Sequence, residues 1–467
     1  LDKLINVYEE LTTKFKFNEY IIEGGFDVSV AFEAMNNRGK PLSNLELLKN
    51  RLIYLTTLFS KDKLGSDDSE KIRKNINDAW KEVYKQLGRN ADKRLDDDEF
   101  LRAHWIMYFE YNRSKKDAYR ISLLDEKFIQ KEVRDDKLSP QNIKEYVKDL
   151  ESSAGHWFNL HYPDKSGLSD KVKAILQRLN RIGMGEFRPL VMSILKNVTD
   201  EDKNKKEVLE AIERFIFIVI KLSRKFSNYS NSTFYKKARD LNKEDDTNEV
   251  LNKIKKELKP DNKKHKCLDT DENFDSPPFY DYLNKQFMSG KKEGYYGWPT
   301  LKYFLYEYEL YLASELGFEK TPDWDELLKT PRDKLSIEHI FPQNPKDWKE
   351  EFIGVSEGDF SYYSGSIGNL LLLSKAINSS FQNKPFAEKK KTTRGKDGKN
   401  SVPGYEDGSH LEREVSKNKN WTTAEIKERG LKLLEFMETK WEFKFKEEDK
   451  EKLLFLPDKA NDEVNSN

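Results

Sequence analysis

Ser336-Ile337-Glu338-His339-Ile340-Phe341-Pro342-Gln343 is the stretch from which the rest of the chain is best read. Ile337, Ile340 and Phe341 form a short apolar run that predicts a buried strand, and Pro342 stops it because proline cannot donate to a ladder. Glu338 and His339 therefore fall at a strand end beside a loop. Further on, Ile367-Gly368-Asn369-Leu370-Leu371-Leu372-Leu373 reads as a second strand, and Ser374 caps a helix that carries Asn378. The order is strand, loop, strand, helix, and a hairpin packed on a helix brings a carboxylate, an imidazole and a carboxamide together.

Those three groups are what one-metal hydrolysis of a phosphodiester needs. A neutral imidazole takes a proton from water near pH 7 because its ordinary pKa is about 6.5. A carboxylate and an amide oxygen are hard ligands for magnesium or manganese and leave positions for water and phosphate. The ion then stabilises charge on the phosphate and leaving oxygens. Taken alone, Glu-His beside a buried strand also fits a satisfied structural ion pair.

Working outward, the spacing of Leu4, Ile5, Tyr8 and Leu11 is helical over 1–15. Residues 21–30 read as strand around Gly24-Gly25, and 32–39 end a short helix at Gly39. Ser43 and Glu46 have capping-box spacing and open a helix with Leu47, Leu48 and Leu52 on one side. From 69 to 258 nearly everything is helical in period, with breaks at Ser139-Pro140, His161-Tyr162-Pro163 and Gly183. Between 259 and 278 charge and turn residues replace that period, and His265 and Cys267 within it receive no role. His104 reads as a half-buried helix residue. Helices resume over 298–316, and Thr422 with Glu425 caps a last one carrying Ile426, Leu433, Met437 and Trp441 on one face.

The chain has 467 residues, 36% hydrophobic and 36% charged, with 83 basic against 83 acidic side chains. Typical globular chains carry only about 25% charged residues, so long amphipathic helices fit this balance best. No apolar run approaches the ~18 residues of a membrane span; the longest is 215–220. No membrane association is expected. The single cysteine, Cys267, excludes a disulfide framework and a multi-cysteine zinc site, and points to a reducing, cytoplasmic setting. The chain opens on Leu1 rather than Met, from which an N-terminal truncation is expected. Zero net charge argues against a uniformly basic coat, but affinity for phosphates depends on local charge. Between 381 and 400, Lys384, Lys389, Lys390, Lys391, Arg394, Lys396 and Lys399 face only Glu388 and Asp397.

The stretches Glu338 to Gln343, Ile367 to Leu370 through Asn378, and Asn383-Lys384-Pro385-Phe386 with Lys389 look like the HNH (ββα-metal) nuclease domain of GmrSD-type modification-dependent (type IV) restriction enzymes. The HNH domain of RNA-guided CRISPR nucleases is similar. Trp421, Ile426, Arg429, Leu433 and Trp441 match the helix that closes the GmrSD-type nuclease domain. Upstream, Phe32 to Ser43 resembles the last part of the family's nucleotide-handling domain and Phe100 to Trp105 its helical middle.

The resemblance implies a mainly α fold, a helical connector domain with a small C-terminal ββα-metal (HNH) nuclease domain. The expected division is 1–60 as the remnant of a mixed α/β nucleotide-sensing domain, 61–258 as the connector, 259–296 as linker or surface loop, 297–445 as the HNH endonuclease and 446–467 as a polar tail. By the same resemblance His339 is the general base, Glu338 the first metal ligand and Asn378 the second, with Asn383 competing for that place. Asn369 joins the catalytic group as the residue that hydrogen-bonds the hairpin loop. Lys384, Lys389, Lys390, Lys391 and Arg394 are expected on the DNA backbone. The implied cofactor is magnesium or manganese. The family's Asp-Gly-Gln-Gln-Arg nucleotide motif is absent, so a nucleotide is expected only with the missing N-terminal part.

The implied function is a metal-dependent DNA endonuclease or nickase of bacterial anti-phage defence, acting on double-stranded, modified phage DNA. The alternatives are a catalytically silent DNA- or protein-binding scaffold and a nucleotide-hydrolysing regulator of a separate nuclease. The three assembled site residues favour the enzyme, and the absent nucleotide motif counts against the regulator.

Overall fold

The computed structural model of the chain describes residues 2–15, 42–64, 68–111, 118–243, 246–261, 263–316, 335–345, 348, 352, 354–394 and 401–457. The strand expected at 21–30, the helix end at 32–39, residues 395–400 of the basic run and residues 458–467 of the expected polar tail lie outside these residues; the earlier part of that tail instead forms the helix Glu447–Leu454, which buries Leu453 and Leu454. The fold is mainly α. The chain divides into two compact units, Leu1–Tyr162 and Pro163–Asn467, and the division falls inside the stretch expected to be one connector.

In the first unit, α1 spans Asp2–Thr13, with Leu4, Ile5, Tyr8 and Leu11 exposed. Helix α2, Asn44–Leu55, opens with both bonds of the Ser43–Glu46 capping box. Its buried face is Leu45, Leu48, Leu52 and Leu55 rather than the face of Leu47. Helix α3, Ser69–Leu87, is anchored to α2 where Trp80 Nε1 donates to the Leu45 carbonyl at 3.1 Å. On α4, Asp97–Tyr108, His104 is fully buried with Nε2 2.9 Å from Asp149, not half-exposed as expected. Helix α5, Pro140–His161, lies along α3. Pro140 occupies its first turn, where a missing N–H costs nothing.

In the second unit, α6 spans Asp170–Ile182 and ends at Gly183, whose φ of 87° suits glycine. Helices α7, Arg188–Asn197, and α8, Lys206–Phe215, follow. A π-helical stretch, Ile216–Leu222, continues α8, and of the longest apolar run of the sequence all but the half-buried Ile220 is buried. Helix α9, Asn231–Lys243, packs on α7.

The stretch 259–296 departs from its reading as a linker or surface loop. It contains α10, Pro277–Met288, and buries Phe274, Phe279, Leu283, Phe287 and Tyr295. His265 and Cys267 are also buried, and His265 Nε2 sits 2.8 Å from the Glu257 carbonyl. Up to residue 276 its buried side chains stand singly or in pairs among charged residues, which leaves no helical or strand period there. Helix α11, Leu301–Glu315, follows.

Strand β1, Leu335–His339, pairs antiparallel with β2, Leu370–Ser374, placing Glu338 opposite Leu371 and His339 opposite Leu370. Helix α12, Lys375–Phe381, packs on both strands, and Ser374 caps it by accepting from Ile377 N at 3.4 Å. A smaller ribbon pairs Thr393–Arg394 with Ser401–Val402. Helix α13, Thr423–Trp441, runs against the turn Ile367–Asn369 so closely that a Cβ on Gly368 would lie 2.0 Å from the Ile426 carbonyl. Only glycine allows that approach.

Candidate functional site

The end of β1 is tied down by side chains from three later segments. Asn369 is buried and makes four hydrogen bonds: its Oδ1 accepts from Phe341 N at 2.8 Å and Trp421 Nε1 at 3.0 Å, and its Nδ2 donates to the carbonyls of Phe341 at 2.8 Å and Ser364 at 3.1 Å. With its amide fully engaged, Asn369 shapes the loop after β1 and is not a group free to meet a reacting atom. Arg429 on α13 adds a second clamp, donating from Nη1 to the Gly368 and Leu370 carbonyls at 2.7 and 2.9 Å.

Glu338 is the penultimate and His339 the last residue of β1, and their side chains meet different partners. Glu338 is 3% exposed, and its Oε1 accepts from Lys389 Nζ at 2.6 Å and from Tyr405 OH at 3.4 Å. Lys389 is completely buried and donates also to the His339 and Ile340 carbonyls at 3.2 and 3.1 Å, so all three ammonium protons are satisfied. Burial pushes the Glu338 carboxyl up and the Lys389 ammonium down, and each shift is opposed by the other's charge. The expectation that Lys389 contacts the DNA backbone is thereby corrected: no phosphate reaches an ammonium enclosed by a carboxylate and two carbonyls.

His339 presents the opposite electrostatics. Its Nε2 is buried with no hydrogen-bond partner among the described residues. Burial, and then the Lys389 charge, hold the imidazole down to about 4. It is neutral throughout the physiological range, and the inflexion expected from an ordinary histidine near 6.5 moves well below it. Its ring lies against Tyr296, with centroids 5.0 Å apart and planes 31° from parallel.

Asn378 on α12 donates from Nδ2 to Ser336 Oγ at 2.9 Å and to the Ile337 carbonyl at 3.1 Å. Ser336 lies two residues from Glu338 and shares its face of β1, so Asn378 stands on the side of Glu338. Asn383 is exposed, and its carbonyl, like that of Lys384, accepts from Trp348 Nε1 at 3.2 Å. Of the remaining basic residues, Lys390 is half-buried and donates to the Asn418 carbonyl at 3.1 Å, Lys384 is half-buried and Lys391 is exposed. The Arg394 side chain lies outside the described part of the structure.

Among the described residues, no group of three or more His, Cys, Asp or Glu side chains is placed to hold a metal ion. The carboxylate and amide oxygens left without a hydrogen bond to a described residue are Glu338 Oε2 and Asn378 Oδ1, and oxygen donors of this kind suit a hard divalent ion. Two protein oxygens with water and phosphate completing the shell is a common magnesium arrangement. Sequence reading missed Lys389 as an internal partner, and it missed Tyr405 and Tyr296, which approach β1 from distant segments and carry no local motif.

Residues 281–436 match the family described as GmrSD restriction endonucleases, C-terminal domain. No curated protein and no solved structure matches the chain. Among the described residues, no helix is long and apolar enough to cross a membrane. The matched segment begins within α10, runs through the hairpin, α12 and the Lys389 contact, and ends within α13, so it contains every residue of the site. Over residues 281–436, about a third of its length, the chain is therefore similar to the C-terminal domain of the GmrSD restriction endonucleases.

Proposed function

We propose that the hairpin β1–β2 with α12 is the ββα core of an HNH nuclease that hydrolyses DNA phosphodiester bonds with one divalent metal ion. The observation that carries this reading is His339 Nε2, a buried ring nitrogen with no hydrogen-bond partner among the described residues on a neutral imidazole at a strand end. A nitrogen that is merely structural is normally paired. Here its lone pair is free to take the proton of an attacking water. Glu338 and Asn378 would hold magnesium or manganese through their carboxylate and amide oxygens. The ion would supply charge stabilisation at the phosphate and leaving oxygens. Asn369, Arg429 and Lys389 keep the strand end rigid, and a water held against His339 gains from that fixed geometry. The substrate would be modified phage DNA, cut or nicked inside the bacterial cytoplasm as part of defence.

The test is conversion of supercoiled plasmid to nicked or linear DNA by the full chain with magnesium or manganese, in parallel with modified phage DNA. Excess chelator should abolish cleavage. Equal cutting in chelator removes the metal from the reading.

The buried Glu338–Lys389 pair favours a second reading, a silent DNA-binding domain whose Glu338 is structural. DNA binding without cleavage under any divalent metal would select it.

A further inference from the structure

The loop from α10 to α11, Ser289-Gly290-Lys291-Lys292-Glu293-Gly294-Tyr295-Tyr296-Gly297-Trp298, is fixed by its own packing. Gly294 has a φ of 52°, and a Cβ there would come within 2.5 Å of the Phe287 ring and 2.7 Å of the Gly365 carbonyl. Tyr295 and Trp298 are 0% and 1% exposed, and Tyr295 OH donates to the Leu453 carbonyl at 2.9 Å. Of the loop's three aromatic residues, Tyr296 alone is turned outward. It is 44% exposed, its hydroxyl makes no hydrogen bond to a described residue, and its only ring partner among the described residues is His339. Lys291 and Lys292 are exposed on the same loop, with Lys291 Nζ 3.9 Å from Glu293.

We propose that Tyr296 is a substrate-contacting residue of this site, with one part of its ring against His339 and its exposed part stacked on a nucleotide base beside the scissile phosphate. This rests on reading His339 as the base of a nuclease. A rigid backbone that buries two aromatic neighbours and presents the third to solvent, against the imidazole, makes a platform rather than a stray hydrophobe. Aromatic rings bind bases of any identity because every base has a π face, while Lys291 and Lys292 supply backbone attraction without base preference. A base stacked on Tyr296 has left the duplex stack, which is easiest where pairing is already lost. The chemistry therefore selects DNA with an unpaired or mismatched nucleotide next to the cut.

The experiment uses the full chain and duplexes with a single mismatch, in which 2-aminopurine is scanned through positions around the mismatch. Binding is followed by anisotropy in excess chelator, and cleavage separately with metal. The wild type should quench 2-aminopurine at one or two adjacent positions. Tyr296→Ala and Tyr296→Leu should lose the quench and weaken binding by about 5-fold to 160-fold, the range for removing one stacked base. Tyr296→Phe should keep the larger part of the affinity, since the ring remains. Unchanged affinity and quench in Tyr296→Ala overturn the proposal, as does a loss in Tyr296→Ala confined to kcat with KM and affinity intact, which would make Tyr296 only a support for His339. A wild type that neither binds nor cuts DNA defeats the nuclease reading instead. A wild type that cuts plasmid while Tyr296→Ala behaves identically defeats Tyr296 alone.

Discussion

Lys389 Nζ stands 2.6 Å from Glu338 Oε1 with both side chains buried. The same ammonium holds the carbonyls of His339 and Ile340, so one cation fixes a carboxylate and the backbone on which the neighbouring histidine sits.

Lys389→Met should strand that carboxylate in the interior and destabilise the protein by about 3 to 5 kcal/mol. Adding Glu338→Gln should recover part of the loss, because no buried charge is then left unpaired. Urea denaturation of the wild type, both single variants and the double variant provides the cycle. Strictly additive losses would show that the two residues do not stabilise one another.

His339→Ala should lower cleavage by ~10² to 10⁴ while leaving the thermal transition nearly in place, the contribution typical of a positioned general base. The pH dependence has a defined sign. An imidazole held to about 4 is the competent neutral base at every pH above that value, so kcat/KM should show no histidine inflexion between pH 5.5 and 7.5. A clear rise through 6 to 7 would mean that His339 is solvated in the working enzyme.

The burial of Lys389 reduces what the basic run contributes to DNA affinity. Changing Lys384 and Lys391 to Gln should reduce the slope of log affinity against log salt by roughly two units, at about 0.9 per phosphate contact on duplex DNA. Lys389→Gln should alter stability without altering that slope. Anisotropy titrations from low to moderate salt decide between this and an unchanged slope, which would return Lys384 and Lys391 to the role of solvated surface.

Glu412 supplies a pH effect on stability away from the chemistry. Burial pushes its carboxyl up to about 7, against an opposing pull from the Ser409 backbone amide. Its folded pKa lies above the unfolded value, so the folded state binds the extra proton between about 4.5 and 7, and stability falls as pH rises through that window. Glu412→Gln keeps the shape and removes the charge. It should match the wild type near pH 4.5 and exceed it by up to about 3 kcal/mol at pH 8. Parallel stability curves for the two proteins would refute the assignment.

Much of the site's scaffold is legible in local sequence. The strand around Ile337, the Leu370–Leu373 part of the second strand, the Ser374 cap and the Thr422–Glu425 box each depend on neighbours within about four residues and form where the pattern places them, whereas Ile367–Asn369, expected in that second strand, make a 3-10 turn against α13. Asn369 is half legible. Its place after a glycine in an apolar run marks it, but the partners Phe341, Ser364 and Trp421 that consume its amide come from separate segments.

What the sequence determined by itself was the order of elements, the mainly helical class and the positions of Glu338, His339 and Asn378 along the chain, because periodicity and caps are short-range effects. Only the tertiary structure decided which groups those side chains face. Lys389 belongs by composition to a basic surface run, yet the short helix Phe386–Lys390 turns it inward onto Glu338. Tyr296 lies in an unremarkable glycine-flanked turn, yet the packing of Gly294 against Phe287 delivers it to His339. Burial and pairing depend on segments far apart in sequence. The protonation state of the histidine and the partner of the glutamate therefore belong to the fold, not to the motif that contains them.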